Sequence, residues 1–255
     1  MSEESRTTVR SVLLGLSRGV LDWFFPRHCY HCGGPLIEQP GQLFCRACHR
    51  ELCERRISGT VCDVCGLPLE GEFQADALCM NCMAGRRHFD RARAFFPYGG
   101  PAASAIKSYK FAADFFLGPR LLEGALRRGW LPGDLHRPSV VVPVPLHPRR
   151  RRERGYDQAF LLARVMARHL ECRLVRRSLV RARYTLRQTR LPTRQRQSNV
   201  QGAFAVRRGQ TLQGEGVLLV DDVMTTGATA DECARVLKRA GAARVDVLTL
   251  ARTAP

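Results

Sequence analysis

The sequence lacks any long hydrophobic run and is poor in acidic residues. No stretch of 18 or more uninterrupted apolar residues occurs in its 255 residues, so we expect no membrane-spanning helix. The first residues include Glu3 and Glu4 and no cleavage-like site, which argues against a secretory signal and favours the cytoplasm. Acidic residues number 23 against 41 lysines and arginines, a net charge of +18. This imbalance favours an anionic partner such as nucleic acid, phosphate or acidic lipid, although a solvated arginine-rich surface has the same composition.

The positive charge is concentrated in one segment. Between Arg149 and Arg196, sixteen arginines against Glu153, Asp157 and Glu171 give a net charge of +13. We therefore expect this segment to make any contact with single-stranded DNA, through the phosphates and with little sequence preference.

Cysteine is concentrated in a different segment. Nine of the eleven cysteines lie in residues 29–82, and eight of them form C-x-x-C pairs. The pairs are Cys29/Cys32, Cys45/Cys48, Cys62/Cys65 and Cys79/Cys82. Equivalent cysteines are 33 or 34 residues apart and both copies contain C-G-x-P-L, so the segment is an internal duplication.

The four pairs predict two structural zinc ions. A C-x-x-C pair chelates one tetrahedral ion from a tight turn, and Gly33 and Gly66 follow the second thiolate where the backbone must turn sharply. Four thiolates per ion leave no position for water, which predicts structural rather than catalytic zinc. A disulfide framework is the alternative, and ligand pairing across the two copies stays open. The remaining candidates, Cys53, His28, His31 and His49, are interpreted as non-ligands.

The N-terminal segment, residues 1–28, has helical periodicity. Its apolar residues recur at helical spacing, and arginines lie on the other faces, so an amphipathic helix is predicted. Such a helix can meet a membrane or a partner, but docking on its own protein is favoured.

After a double zinc ribbon over residues 29–90, the pattern changes to alternating strands and helices over residues 91–255. Strand-like runs occur in "RARAFFPY", "SVVVPVPL", "GVLLVDD" and "RVDVLTLAR", with helix-like runs between them. This alternation predicts an α/β domain with a mostly parallel, doubly wound sheet, whose ligand binds at the carboxyl ends of the strands.

The stretch "VLLVDDVMTTGATA" combines a buried strand, two carboxylates and a loop of small hydroxylated residues. The strand is predicted over Val217–Val220, with Asp221 and Asp222 at its carboxyl end. The loop over Met224–Thr229 opens a helix, whose N–H groups bind anions. The candidate anion-binding residues are Thr225, Thr226, Gly227, Ala228 and Thr229. A sugar phosphate with vicinal hydroxyls would bind both parts, its hydroxyls at the carboxylates and its phosphate at the loop. The alternative without a ligand is a helix cap beside a structural acidic pair.

These residues resemble the phosphoribosyl pyrophosphate (PRPP) motif of type I phosphoribosyltransferases. The combination with two zinc ribbons is similar to the ComF family, and the resemblance covers the chain from about Cys29 onward. "IKSYKF", "VVPVPLHPRRRRERGYDQAFLLA" and "QTRLPTRQRQSNVQGAF" also resemble elements of that family. Asp157 departs from the family pattern, which has Asn at this position, while Gln158 is retained.

The resemblance implies a site for PRPP with magnesium. It implies that the 5′-phosphate lies in the Thr225–Thr229 loop and that the ribose hydroxyls face Asp221 and Asp222. Arginine is expected to neutralise the pyrophosphate, with Arg154 as the candidate, and a loop around Gln188–Asn199 is expected to close over the ligand.

The same resemblance implies a role in handling internalised DNA, in natural transformation or DNA utilisation. The expected function is therefore DNA uptake with PRPP binding and single-stranded DNA contact. Two alternatives are an active phosphoribosyltransferase of nucleotide salvage and a non-catalytic zinc-ribbon scaffold that recruits competence or DNA-processing proteins.

Overall fold

The computed structural model describes residues 28–36, 42–71, 76–112, 114–185 and 193–253. The predicted N-terminal helix and the Gln188 end of the predicted closing loop lie outside the described residues. Within the described ranges the strands are β1 (Arg91–Pro97), β2 (Val140–Pro143), β3 (Arg173–Leu174), β4 (Leu179–Arg181), β5 (Phe204–Val206), β6 (Gly216–Met224) and β7 (Arg244–Arg252). The helices there are α1 (Arg46–Glu54), α2 (Met80–Met83), α3 (Gly100–Phe111), α4 (Leu117–Arg127), α5 (Pro148–Arg154), α6 (Gln158–His169), α7 (Thr193–Val200) and α8 (Ala228–Arg239).

Five strands form one parallel sheet in the order β1-β7-β6-β2-β3. This order places β6 at the centre, and its residues Val217–Val220 are all buried, as a strand covered on both faces requires. β4 and β5 form a separate antiparallel pair. The predicted fold class is confirmed, because each of the four strand-like runs forms a strand of the parallel sheet. No helix among the residues described here is long and apolar enough to cross a membrane.

The central strand is longer than the sequence predicts. β6 continues through both aspartates to Met224, because its ladder with β7 extends from Gly216↔Arg244 to Met224↔Arg252. The predicted Met224–Thr229 loop is correspondingly shorter: Met224 belongs to β6, and α8 begins at Ala228. Only residues 225–227 connect the two elements, so the carboxylates and the loop are held close together by regular structure on both sides.

The two zinc ribbons pack on opposite faces of the sheet. Cys29, Phe44 and Cys48 of the first ribbon are buried in one core with α3, α4 and α6. The four cysteines of the second ribbon are buried in the other core with α8 and the β4–β5 pair. Each ribbon therefore completes a hydrophobic core of the α/β domain, and burial of its apolar surface contributes to the stability of both parts.

The second ribbon also covers the exposed edge of β1. The Ala92 N–H donates to the Val64 carbonyl (2.7 Å), and the N–H of Ile57, in the connection between the two ribbons, donates to the Phe95 carbonyl (2.9 Å). Gly66 permits this approach, because a Cβ at that position would lie 2.3 Å from the Ala92 carbonyl oxygen and φ is +64°. The edge strand of the sheet is therefore paired rather than left open.

Candidate functional site

Each ribbon brings its own four cysteines together. Cys29, Cys32, Cys45 and Cys48 form one cluster, and Cys62, Cys65, Cys79 and Cys82 form the other. In each cluster the four sulfur atoms lie within 4.8 Å of one another. The ligand pairing that the sequence left open is thus within each copy, and none of these cysteines forms a disulfide.

The clusters fit tetrahedral zinc. The Sγ atoms of Cys32 and Cys45 are 3.7 Å apart, and those of Cys65 and Cys79 are 3.5 Å apart. A tetrahedron with Zn–S bonds of about 2.3 Å has S···S edges of about 3.8 Å. Burial opposes ionisation of Cys29, but backbone N–H donors of Cys32, Cys45 and His31 lower its pKa to about 6, whereas burial and the neighbouring thiols raise the pKa of Cys48. The two clusters are therefore structural zinc sites.

The side chains interpreted as non-ligands lie outside both clusters. His31 Nδ1 is 2.9 Å from the Ser104 hydroxyl, and His49 Nε2 is 2.8 Å from an Arg128 guanidinium nitrogen. Cys53 Sγ lies 3.8 Å from His49 Nδ1, a pair that belongs to neither group of four.

At the carboxyl end of β6, the two aspartates have different partners. Asp222 is 7% exposed, and its Oδ1 lies 2.7 Å from Nζ of Lys110 on α3. Asp221 Oδ1 accepts the backbone N–H of Asp222 at 2.8 Å. Neighbouring carboxylates repel each other, and Lys110 compensates the charge of Asp222 directly.

The environment of Asp221 resists a negative charge. Burial and the neighbouring Asp222 raise the pKa of Asp221 to about 7, while Lys110, the Asp222 N–H and Arg181 act in the opposite direction. A carboxyl with this pKa is only about half ionised near neutral pH. Hydrogen bonds from ligand hydroxyls, or a cation at this position, would therefore stabilise the ionised form of Asp221 beyond what Lys110 and Arg181 provide.

The connection from β6 to α8 forms a tight, hydroxyl-lined turn. Gly227 is the N-cap residue of α8 with φ +81°, a left-handed conformation that favours glycine. The Thr226 hydroxyl accepts the Ala228 N–H at 3.4 Å. The N–H groups of the first helical turn have no partners within the helix, and the helix dipole adds positive potential there. The predicted anion-binding residues Thr225, Thr226, Gly227, Ala228 and Thr229 thus lie in a turn of the kind that can bind an anion.

A cavity of about 580 Å³ opens over this strand end. Its floor consists of Asp221, Asp222, Thr225, Thr226 and Thr229. One wall, following β2, includes Val144, Arg150, Arg154 and Gln158. The opposite wall, formed by the end of β7 and the second ribbon, includes Cys65, Leu67, Asn81, Arg87 and Arg252. The carboxylates and the hydroxylated turn therefore share one cavity between two arginine-bearing walls.

Arg154, the arginine singled out from the sequence, lies on the β2 wall. Its guanidinium carbon is 5.6 Å from the centre of the exposed Phe111 ring. Arg150 donates to the Thr185 carbonyl at 2.7 Å and lies over the Tyr184 ring. Arg151 and Arg152 are exposed, so only part of the arginine run lines the cavity.

Asp157, the departure from the family pattern, caps a helix. It is the N-cap residue of α6, and its Oδ1 accepts the Phe160 N–H at 3.1 Å. Asn and Asp serve equally well as N-caps, so the substitution preserves this contact.

The sequence did not predict the roles of three charged residues that line the cavity. Lys110 was noted only as part of a motif, yet it pairs with Asp222. Arg181 on β4 is 9% exposed and lines the cavity, and Arg252 lies at its ribbon wall. These residues lie in separate elements, and only the short run Lys107–Lys110 carried a sequence signal.

Comparison with known proteins agrees with this architecture. Residues 20–83 match the double zinc ribbon domain, and residues 157–254 match the phosphoribosyl transferase domain. The chain is 31% identical over 233 residues to competence protein F of Haemophilus influenzae, covering 90% of this chain and 98% of that protein. It is 32% identical over 231 residues to the DNA utilization protein YhgH of Escherichia coli K12, covering 89% and 98%.

A more distant relative, competence protein ComFC of Bacillus subtilis, is 26% identical over 223 residues, with 84% of this chain and 86% of that protein covered. The double zinc ribbon, the phosphoribosyltransferase domain and the near-complete coverage of these relatives occur together in one chain. The protein therefore belongs to the ComF family.

Proposed function

We propose that this protein acts in the cytoplasm in the uptake or use of DNA, and that its α/β domain binds PRPP or a related ribose phosphate. The names of its relatives, competence protein F and DNA utilization protein, support the first part. The single observation that supports the second is the cavity whose floor joins Asp221 and Asp222 to the hydroxylated turn of residues 225–229.

The ligand's two chemical ends match the two halves of this floor. The turn and the N-terminus of α8 bind the 5′-phosphate through N–H and hydroxyl donors. Asp221 and Asp222 accept hydrogen bonds from the ribose hydroxyls. The positive side chains of Arg150 and Arg154 on the β2 wall approach the pyrophosphate and compensate its charge.

Magnesium fits the same floor. It is a hard cation that prefers carboxylate and phosphate oxygens, and it supplies charge neutralisation to a departing pyrophosphate. Among the residues that the structure describes, none forms an ion pair with Asp221, and its pKa is raised, so a nearby cation would stabilise its ionised form.

Exposed aromatic rings and arginines at and beside the β2 wall support contact with single-stranded DNA. Phe111 and Tyr184 are 65% and 42% exposed. Arg154 lies over the Phe111 ring, and Arg149 and Arg150 lie over the Tyr184 ring, at 5.3–5.6 Å. Exposed rings alternating with arginines are typical of surfaces on which unpaired bases stack while phosphates are neutralised.

Calorimetry with ribose 5-phosphate, and with PRPP plus magnesium, tests the ligand assignment. Thr226→Val removes a hydroxyl from the turn and should weaken both ligands, because both carry the 5′-phosphate. Thr211→Val makes the same change at an exposed position outside the cavity and should leave both affinities unchanged. Wild-type protein that binds neither ligand at millimolar concentration would overturn the proposal.

Turnover is tested separately by pyrophosphate release from PRPP, with and without single-stranded DNA. Release that depends on Asp221 would favour a phosphoribosyltransferase. Binding without release would favour a ligand-controlled DNA-handling protein. If the protein binds competence or DNA-processing proteins but has no affinity for either ligand, the zinc-ribbon scaffold would be favoured.

A further inference from the structure

The second zinc cluster and the ligand cavity share one side chain. Arg252, the last residue of β7, is 6% exposed and lines the cavity. Its Nη2 donates to Sγ of Cys65 at 3.1 Å. Cys65 is one of the four thiolates of the second cluster and also lines the cavity.

The remaining donors of Arg252 lack acceptors. Its Nε and Nη1 are buried and have no hydrogen-bond partner among the residues that the structure describes. A buried donor that has left water without gaining an acceptor is costly, and a buried guanidinium more so. An oxygen acceptor supplied from the adjacent cavity would remove this deficit.

The position of Arg252 along the sheet indicates the chemistry of that acceptor. Arg252 pairs with Met224, the residue immediately before the hydroxylated turn, and the Thr253 N–H donates to the Met224 carbonyl at 3.0 Å. The guanidinium therefore lies beside the strand end that carries the anion site. An oxyanion is the acceptor that a buried guanidinium binds most strongly.

Zinc held by the second cluster would fix the acceptor of this contact. A zinc-bound cysteine stays a thiolate and is held in place, so Cys65 would remain a strong acceptor for Nη2. A hydrogen bond from a neighbouring side chain to a metal ligand orients both groups. Here that neighbouring side chain is Arg252, which lines the cavity. The first cluster lies in the opposite core, and none of its described residues lines the cavity.

We propose that Arg252 binds an oxyanion of the ribose-phosphate ligand, and that the second zinc cluster positions Arg252 for this contact. The inference rests on the proposed ribose-phosphate site and adds to it a residue and a metal dependence. The second ribbon is thus a functional wall of this cavity, whereas the described residues of the first ribbon pack in the opposite core.

The test measures the affinity of full-length protein for ribose 5-phosphate and for PRPP with magnesium, together with zinc content and melting temperature. Arg252→Met should retain two zinc ions and weaken both ligands about ten-fold or more, since a charge-assisted contact is lost. The affinity of Arg252→Lys for both ligands should lie between that of Arg252→Met and that of wild type. Arg244→Met removes an arginine from the opposite end of β7 and should bind as wild type does.

Metal dependence is tested by a double-mutant cycle. Cys79→Ser should lose about one zinc and weaken both ligands, whereas Cys32→Ser in the first cluster should lose about one zinc with affinity unchanged. Adding Arg252→Met to Cys79→Ser should produce little further weakening, because the side chain has already lost its anchor.

Wild-type affinity that survives Arg252→Met in a folded, zinc-loaded protein would overturn the inference while leaving the proposed function intact. Full additivity of Arg252→Met with Cys79→Ser would overturn the zinc dependence. Absence of binding by wild type would instead reject the proposed function on which the inference rests.

Discussion

Asp221→Asn should stabilise the protein while weakening its ligand binding. The pKa of Asp221 is raised from 3.8 to about 7, by burial and by Asp222. Between these values the folded state holds a proton that the unfolded state has released, so stability falls as pH rises from about 4 to about 7 and stays lower above that. A shift of about three pH units corresponds to about 4 kcal/mol at full effect.

The realised gain should be smaller. Asp221 faces a cavity that water enters, and screening reduces such energies, so we expect Asp221→Asn to add about 1–2 kcal/mol at pH 8. For a chain of this size that is about 2–8 °C in melting temperature. At pH 4 the two proteins should melt at nearly the same temperature, because the wild-type carboxyl is protonated. The asparagine oxygen can still accept the Asp222 N–H, so the backbone geometry should persist.

The ligand should respond in the opposite direction. Loss of a charge-assisted hydrogen bond or magnesium contact should weaken PRPP binding by about 1–3 kcal/mol, measured by calorimetry at fixed magnesium. Asp222→Asn provides the contrast: it breaks the 2.7 Å pair with Lys110, so it should lower the melting temperature at pH 8 as well as the affinity. A purely structural acidic pair would behave differently: Asp221→Asn would melt lower than wild type at pH 8, with ligand affinity unchanged. That result would refute the reasoning.

Three further predictions concern the ribbons and DNA. Gly66→Ala should lower the melting temperature by several degrees and loosen the second ribbon, because its Cβ would lie 2.3 Å from a backbone oxygen. Gly33 is the control, with a similar φ of +72° and no atom within 4 Å of an added Cβ. Gly33→Ala should therefore lower the melting temperature less, through backbone strain alone. Cys62→Ser should reduce zinc from two ions per chain to about one by metal analysis, and protein that contains disulfides and no zinc would contradict both sites. Single-stranded DNA binding should weaken steeply with salt, and Tyr184→Ala should weaken it about ten-fold by loss of stacking; a flat salt titration would count against DNA contact.

The contiguous parts of the fold and site were predictable from the sequence. The strand, carboxylates and turn of residues 217–229 lie next to one another in the chain, so local spacing identified them, and the repeated C-x-x-C pairs identified both metal clusters. Each of these signals requires only the periodicity or spacing of a short segment. The boundary at residues 90 and 91 stays a prediction, and the shared cores show that the two parts are not packed independently.

The remaining parts depend on pairings that no local pattern encodes. The Arg252–Cys65 hydrogen bond joins residues 187 positions apart, and Lys110 reaches Asp222 only because α3 packs beside the sheet. The extension of β6 past both aspartates also depends on the neighbouring strand, since the ladder with β7 fixes where β6 ends. Tertiary context decides strand ends more strongly than local propensity does.

Sharing of both cores has a consequence for synthesis on the ribosome. Each cysteine cluster is local in sequence and can take up its metal as soon as its own segment has emerged. At that stage the core that contains the second ribbon is incomplete, because it also contains Val245 and Val247 of β7. β1 likewise lacks its partner strand, since it pairs with β7. The ribbons and β1 can therefore be metal-loaded but stay incompletely packed until β7 has been synthesised. Folding that depends on such long-range contacts is slow, and the exposed apolar surface favours aggregation in the meantime. A ribosome that stalls before residue 244 would leave a nascent chain with an unpaired β1 edge and two partly exposed metal modules.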